Sequence, residues 1–164
     1  NPLNSDIRIL FYKEYKIAEL AKPMLQELLK LEIMEDEIGY IALHVHSSIQ
    51  DEKVTTSMQM AMIVRECVTL IEEQVGRKID ILSLDYNRLM NHVKFMFARS
   101  VTGEVLKLDM NAYIKMTYPQ AYEIAEVVCQ HIGKALNTTL AEVEIGYLAM
   151  HVQRALMDET AETS

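Results

Sequence analysis

The chain contains one stretch of nine residues twice, and this repeat constrains the fold more than any other feature. EIGYIALHV, residues 37–45, returns as EIGYLAMHV, residues 144–152, with the two differences exchanging one apolar residue for another. YKIAEL at 15–20 and YEIAEV at 122–127 match at the same offset of 107 in sequence number. Two matched blocks at one spacing indicate duplication of a whole module.

The duplication predicts how the chain is divided. Residues 56–117 would have their counterpart before residue 11, so only one copy of the module is complete. We therefore interpret residues 1–50 as the C-terminal half of a first domain and residues 51–157 as a complete second domain. Residues 158–164 are expected to form a frayed tail.

The apolar pattern is helical almost throughout and predicts an all-α fold of tandem helical bundles, the first one incomplete. Leu20, Met24, Leu28 and Leu31 line one face of a helix that starts near Tyr15. The polar stretch 47–54 is the predicted boundary between domains. Further helices are expected from the acidic run at 35–37, over about 56–75, from Ser83 or Asp85 to Arg99, over 109–117, from 119 to about 136, and over about 141–156.

Composition narrows the functional classes. The net charge of −8 makes direct contact with nucleic acid unfavourable, because phosphate backbones are also negative. Cys67 and Cys129 lie far apart inside helical patterns, which is typical of reduced core residues in a cytoplasmic protein. No apolar run is long enough to span a bilayer, so no membrane association is predicted.

The histidines of the repeat lie beside the apolar face of their helix. Glu37, Tyr40 and His44 share one stripe, as do their counterparts Glu144, Tyr147 and His151. A single histidine in such a place is more often structural than reactive, and duplication alone repeats packing as well as function. His46 and His131 have no histidine at the 107 offset and are assigned structural roles.

No motif of an enzyme is readable. The sequence lacks HExxH and Cys/His metal spacings, glycine-rich phosphate loops, nucleophilic triads and paired catalytic carboxylates. We therefore predict no enzymatic activity, no metal site and no cofactor.

Three motifs together resemble a known family. Both nine-residue repeats resemble the motif around the second regulatory histidine of the phosphotransferase-system regulation domain. YNRLMNHVKFMFAR, residues 86–99, resembles the motif around its first histidine, where Asn91 precedes His92 and Arg99 ends the motif one residue early. YPQAYEIAE, residues 118–126, resembles the link between the two motifs. The resemblance extends over residues 7–156.

The resemblance implies a phosphorylation-controlled regulator. In transcriptional antiterminators of the BglG/SacY/LicT type, two such helical domains follow a small RNA-binding domain, and the same domains occur in DNA-binding activators. Phosphorylation of histidines by the phosphocarrier protein HPr or by a sugar-specific enzyme II controls dimerisation and RNA binding there. RNA would be bound only by an N-terminal domain absent from these residues. The implied phosphoacceptors are His44, His92 and His151, and the supporting residues are Asn91, Arg99, Glu37, Glu144, Tyr40 and Tyr147.

Two side-chain roles follow as hypotheses. Glu37 and Glu144 are expected to accept a hydrogen bond from the neighbouring histidine ring. Arg88 or Arg99 is expected to pair with phosphate on His92. The alternative interpretations are a helical scaffold or dimerisation domain with structural histidines, the same module in a DNA-binding activator, and, least favoured, a helical metalloenzyme.

Overall fold

The computed structural model describes residues 2–157, and this part of the chain forms eight α-helices and no strand. The predicted all-α class is confirmed. The helices are α1 (Pro2–Leu10), α2 (Tyr12–Leu29), α3 (Glu35–Gln50), α4 (Val54–Val75), α5 (Leu84–Thr102), α6 (Asn111–Thr117), α7 (Pro119–Ala135) and α8 (Val143–Met157). The frayed tail expected at 158–164 lies outside the described residues.

The duplication extends over three consecutive helices. Adding 107 to the first residue of α2 gives Pro119, where α7 begins, and adding it to the last residue of α3 gives Met157, where α8 ends. The triplets α1–α3 and α6–α8 are therefore two copies of one arrangement. Helix α1 was not predicted, because its nine residues are too few to show a clear helical period.

Local signals set most helix ends as predicted. The acidic run at 35–37 opens α3, where Glu37 accepts a hydrogen bond from the Met34 N–H at 2.7 Å. The Ser83 hydroxyl caps α5 by accepting from the Tyr86 N–H at 3.0 Å. Gly76 and Gly103 follow α4 and α5 with positive φ angles of 80° and 76°, the conformation that ends a helix most easily at glycine.

Residues 2–65 form one compact unit, in which α2 and α3 pack together and α1 contacts both. Its core includes Phe11, Tyr15 and Leu43, all with side chains almost completely inaccessible. The hydroxyls of Ser47 and Ser57 lie 2.9 Å apart and join α3 to the first half of α4.

Residues 66–157 form the second unit, in which α8 packs against α5, α6 and α7. Its core includes Tyr86, Met90 and Met96 of α5 and Leu148 of α8. These contacts place the repeated nine residues of the second copy against a helix, α5, that has no counterpart in the first unit.

One expectation needs correction. Residues 47–50 of the predicted polar bridge belong to α3, where the Ser47 and Ser48 hydroxyls donate to the carbonyls of Leu43 and His44. Only residues 51–53 separate α3 from α4. The predicted apolar face of Leu20, Met24 and Leu28 lies on α2 and is strongly exposed, as is Leu31 just after the helix. The domain boundary after residue 50 stays a prediction, since the two compact units meet within α4.

Candidate functional site: a histidine pair between α5 and α8

The second unit brings together two of the predicted phosphoacceptors. His92 lies in the middle of α5 and His151 in the second half of α8. Their ring centroids are 4.5 Å apart, with 31° between the ring planes. The two rings meet because α5 packs along α8 and each histidine stands at the edge of its helix's apolar face.

Burial leaves part of each ring without a hydrogen-bond partner. Nε2 of His92 and Nδ1 of His151 are both inaccessible to solvent and make no hydrogen bond. Burial, the neighbouring His151 and Arg99 lower the pKa of His92 to about 3. Burial also lowers the pKa of His151, helped by Arg154 and Arg88 and opposed by Asp85. Both rings are therefore neutral at pH 7 and retain a nitrogen lone pair, as a nucleophile needs.

A buried ion pair crosses the same helix contact. Nε and Nη2 of Arg99 donate to the two carboxylate oxygens of Glu144 at 2.6 and 2.8 Å. Glu144 is only 3% exposed, and its hydrogen bonds raise the pKa of Arg99 further. This bidentate pair fixes the first turn of α8 to the end of α5.

The ion pair changes the hypotheses on Glu144 and Arg99. Both oxygens of Glu144 bind Arg99 rather than the ring of His151, because a guanidinium matches both carboxylate oxygens at once. Arg99 is likewise engaged with Glu144 instead of lying free beside His92. Its role toward a phosphorylated His92 stays a prediction.

The other supporting residues of this unit lie nearby on the same helices. The Asn91 amide donates to the carbonyl and side-chain oxygens of Asn87 at 2.9 Å each, one turn back on α5. Tyr147 is half-buried on α8 and contributes to the raised pKa of Arg99. Their support for the histidines stays a prediction.

An asparagine, which the sequence analysis missed, holds the glycine of the repeat. The Asn111 side chain accepts from the Gly146 N–H at 2.9 Å and donates to the Glu142 carbonyl at 2.7 Å. A Cβ at Gly146 would collide with the Asn111 side-chain oxygen, and one at Gly39 would collide with that of Asn4. Asn4 and Asn111 are themselves related by the offset of the repeat, which is the signal that could have found them.

The same stripe is exposed in the first unit. Glu37, Tyr40 and His44 all face solvent, and Glu37 serves as the cap of α3. His44, the third predicted phosphoacceptor, is thus placed on an open helix surface. The structure brings His92 and His151 together within one unit, whereas no ring contact joins His44 to another histidine in the described part of the first unit.

His46 occupies the buried position of the first unit. It is 7% exposed, its Nδ1 lies 3.0 Å from Glu14 Oε1, and its Nε2 lies 3.5 Å from Glu52 Oε1. The Phe11 ring packs against it at 4.4 Å between centroids. This network fits the structural role predicted for His46. Glu14 lies on a different helix, α2, and far away in sequence, so no local pattern could reveal the contact.

Three further groups of the second unit with possible reactivity are His131, Cys67 and Cys129. His131 lies 2.9 Å from Glu66 on an exposed part of the second unit. Cys67 and Cys129 are free and buried, and burial raises the pKa of Cys129 to about 12, so its thiol is not a nucleophile at pH 7. Among residues 2–157, no three His, Cys, Asp or Glu side chains come together as metal ligands. No helix in that range is long and apolar enough to cross a membrane.

The fold and the site together define an all-helical, internally duplicated protein with a neutral histidine pair at a helix contact. Comparison with known families then gives its identity at the family level. The model of the PRD domain matches residues 1–48 and 65–155, and the chain belongs to this family.

Curated relatives are similar in sequence to almost the whole of this chain. The chain is 30% identical to the "GlcA/glcB genes antiterminator" of Staphylococcus carnosus, over 93% of this chain and 54% of the relative. It is 30% identical to the "PtsGHI operon antiterminator" of Bacillus subtilis, over 94% and 56%. It is 29% identical to the "Beta-glucoside operon antiterminator" of Dickeya chrysanthemi, over 99% and 59%. The chain thus spans little more than half the length of these relatives.

Proposed function

We propose that this chain is the regulatory module of a sugar-responsive transcriptional antiterminator and that its histidines accept phosphoryl groups from phosphotransferase-system proteins. The observation that carries the proposal is the pair of His92 and His151, neutral and half-buried at the α5–α8 contact. The PRD match and the antiterminators among the relatives support the same regulatory class. The module has a regulatory role and no catalytic one.

A phosphoryl group at this contact changes the charge of the site. It replaces a neutral ring with a group that carries about −1.5 to −2 charges at pH 7, by analogy with other phosphorylated residues. The two ring centroids lie 4.5 Å apart at the α5–α8 contact, so a charged group on either ring alters the packing of these two helices. That rearrangement is the signal passed to the rest of the protein.

The partners follow from the same chemistry. A phosphohistidine on HPr or on a sugar-specific enzyme II supplies the phosphoryl group, and the module forms a homodimer whose stability depends on phosphorylation. RNA is bound by a part of the whole protein outside this chain, in keeping with the net charge of −8. The protein works in the bacterial cytoplasm, where these donors are found.

The test is phosphorylation with purified components. The chain is incubated with phosphoenolpyruvate, Enzyme I and HPr, and acid-labile mass gain is mapped to individual histidines. We expect modification at His92 or His151 and none at His131, and His131→Gln serves as the matched control. No mass gain at any histidine, with HPr itself phosphorylated and an enzyme II also tried, would overturn the proposal.

A second candidate function is a helical dimerisation domain with structural histidines. The exposed apolar face of α2, formed by Leu20, Met24 and Leu28, favours it. Sedimentation of the unphosphorylated chain and of Leu20→Gln decides this case. A dimer that Leu20→Gln disrupts, together with no phosphorylation, would favour this candidate over the first.

A further inference from the structure

The two rings of the pair bury different nitrogens. In His92 the inaccessible nitrogen is Nε2, at the far end of the ring from the backbone, whereas in His151 it is Nδ1, nearer the backbone. His151 is half-buried as a residue, so Nε2 is the ring nitrogen it offers to an incoming donor. His92 retains only Nδ1, which lies close to its own helix.

From this geometry we infer an order of phosphorylation: Nε2 of His151 is the first acceptor, and Nε2 of His92 reacts only after α5 and α8 separate. The inference rests on the proposed function and specifies how the pair is used. Since the ring of His151 packs at 4.5 Å from that of His92, no phosphorus centre can approach Nε2 of His92 while the helices remain in contact.

The transfer balances as a simple exchange between two imidazoles. The lone pair on Nε2 of His151 forms the new N–P bond as the N–P bond of the donor phosphohistidine breaks. The donor imidazole leaves with that electron pair and takes up a proton from solvent, while the ring of His151 keeps its proton on the inaccessible Nδ1. No oxidant, metal or further reactant is needed.

The charges around His151 favour the product at this nitrogen. Arg88 and Arg154 lie close enough to lower the pKa of His151, and both are cations that a phosphoryl group would attract. Arg88 also pairs with Asp85 at 3.3 Å on an exposed part of α5, and phosphate would compete with that weak contact. Arg154 lies three positions after His151, on the same side of α8.

The Arg99–Glu144 pair controls the second step. It joins α5 to the first turn of α8, two turns before His151, and thereby holds the helices in contact. Weakening it should make Nε2 of His92 reactive without any change at His92 itself. Arg99 and Glu144 are thus positioning residues for the order of phosphorylation.

A small chemical donor tests the order independently of any partner protein. The chain is treated with phosphoramidate and, separately, with diethyl pyrocarbonate, and peptide mass spectrometry follows each histidine with time. Exposed His44 provides the accessible reference and buried His46 the protected one. Antibodies or NMR specific for the two phosphohistidine isomers report which nitrogen carries the group.

We expect His151 to react at Nε2 and His92 to react at least roughly tenfold more slowly, the ratio given by an opening step of about 1.4 kcal/mol. In the double variant Arg99→Met, Glu144→Leu, which replaces the ion pair by apolar side chains, the rates should converge. His92 reacting first, equal rates in the wild type, or His151 modified at Nδ1 would overturn the inference.

The two proposals fail in different ways. If HPr and enzyme II modify no histidine, the proposed function is wrong, whatever the reagents show. If the protein donors modify His92 before His151, the proposed function stands and the order is wrong. The wild-type time course decides the order even if the double variant does not fold.

Discussion

Each copy of the nine-residue repeat forms part of a helix, α3 in the first unit and α8 in the second, but the two helices lie in different surroundings. In the first unit, Glu37, Tyr40 and His44 point to solvent, whereas in the second Glu144 and His151 pack against α5. The sequence of the stripe is the same, so the stripe itself does not determine what its residues do. Within residues 2–157, α5 packs beside the second stripe and supplies a guanidinium for the carboxylate and a second imidazole for the histidine.

The largest expected difference between the copies concerns the glutamate. Glu144→Ala leaves the half-buried Arg99 without its two charge-assisted hydrogen bonds, which should lower the free energy of unfolding by about 2–4 kcal/mol. Glu37→Ala removes only an exposed cap and should cost less than about 1 kcal/mol. Urea unfolding of the two variants measures both values. Equal losses in the two variants would mean that α5 does not distinguish the copies.

Ile17 and Ile124 provide an apolar version of the same comparison. They occupy equivalent positions of the two copies, yet Ile17 is 49% exposed and Ile124 only 4%. Truncation to alanine should cost about 2–4 kcal/mol at Ile124 and less than about 1 kcal/mol at Ile17. Chemical denaturation of the two variants checks this difference. A large loss at Ile17 would show that the exposed face of α2 is covered in solution, for example by a second copy of the chain.

Gly39 and Gly146 have the same kind of neighbour in the two copies, so their substitution should have similar effects. Gly146→Ala and Gly39→Ala each drive a methyl group into an asparagine side chain, and each should cost about 1–3 kcal/mol. Replacing the asparagine as well, in Gly146→Ala with Asn111→Ala, should recover part of the stability. Thermal unfolding gives both values. No recovery would show that the collision at Gly146 is not with Asn111.

The sequence predicted more of the fold than of the site, for a physical reason. Helix ends depend on nearby residues such as Ser83, Gly76 and Gly103, and the duplication is visible as a fixed offset. The Arg99–Glu144 and Glu14–His46 contacts join residues 45 and 32 positions apart, and helical periodicity does not specify such partners. Periodicity placed Leu20 and Met24 on one helix face but does not tell whether that face is covered, since burial requires a neighbouring helix.

The lowered pKa of His92 predicts that the stability of the second unit depends on pH. The pKa of His92 is about 3 in the folded protein and near 6.5 in the unfolded chain. Between these values the unfolded state binds a proton that the folded state does not, so stability falls as the pH drops from about 6.5 toward 3. One such group contributes at most about 1.4 kcal/mol per pH unit.

His92→Gln should therefore remove part of the slope of unfolding free energy against pH. Urea titrations at several pH values between 4 and 7 measure it, and an unchanged slope in His92→Gln would mean that the α5–α8 contact admits a protonated ring.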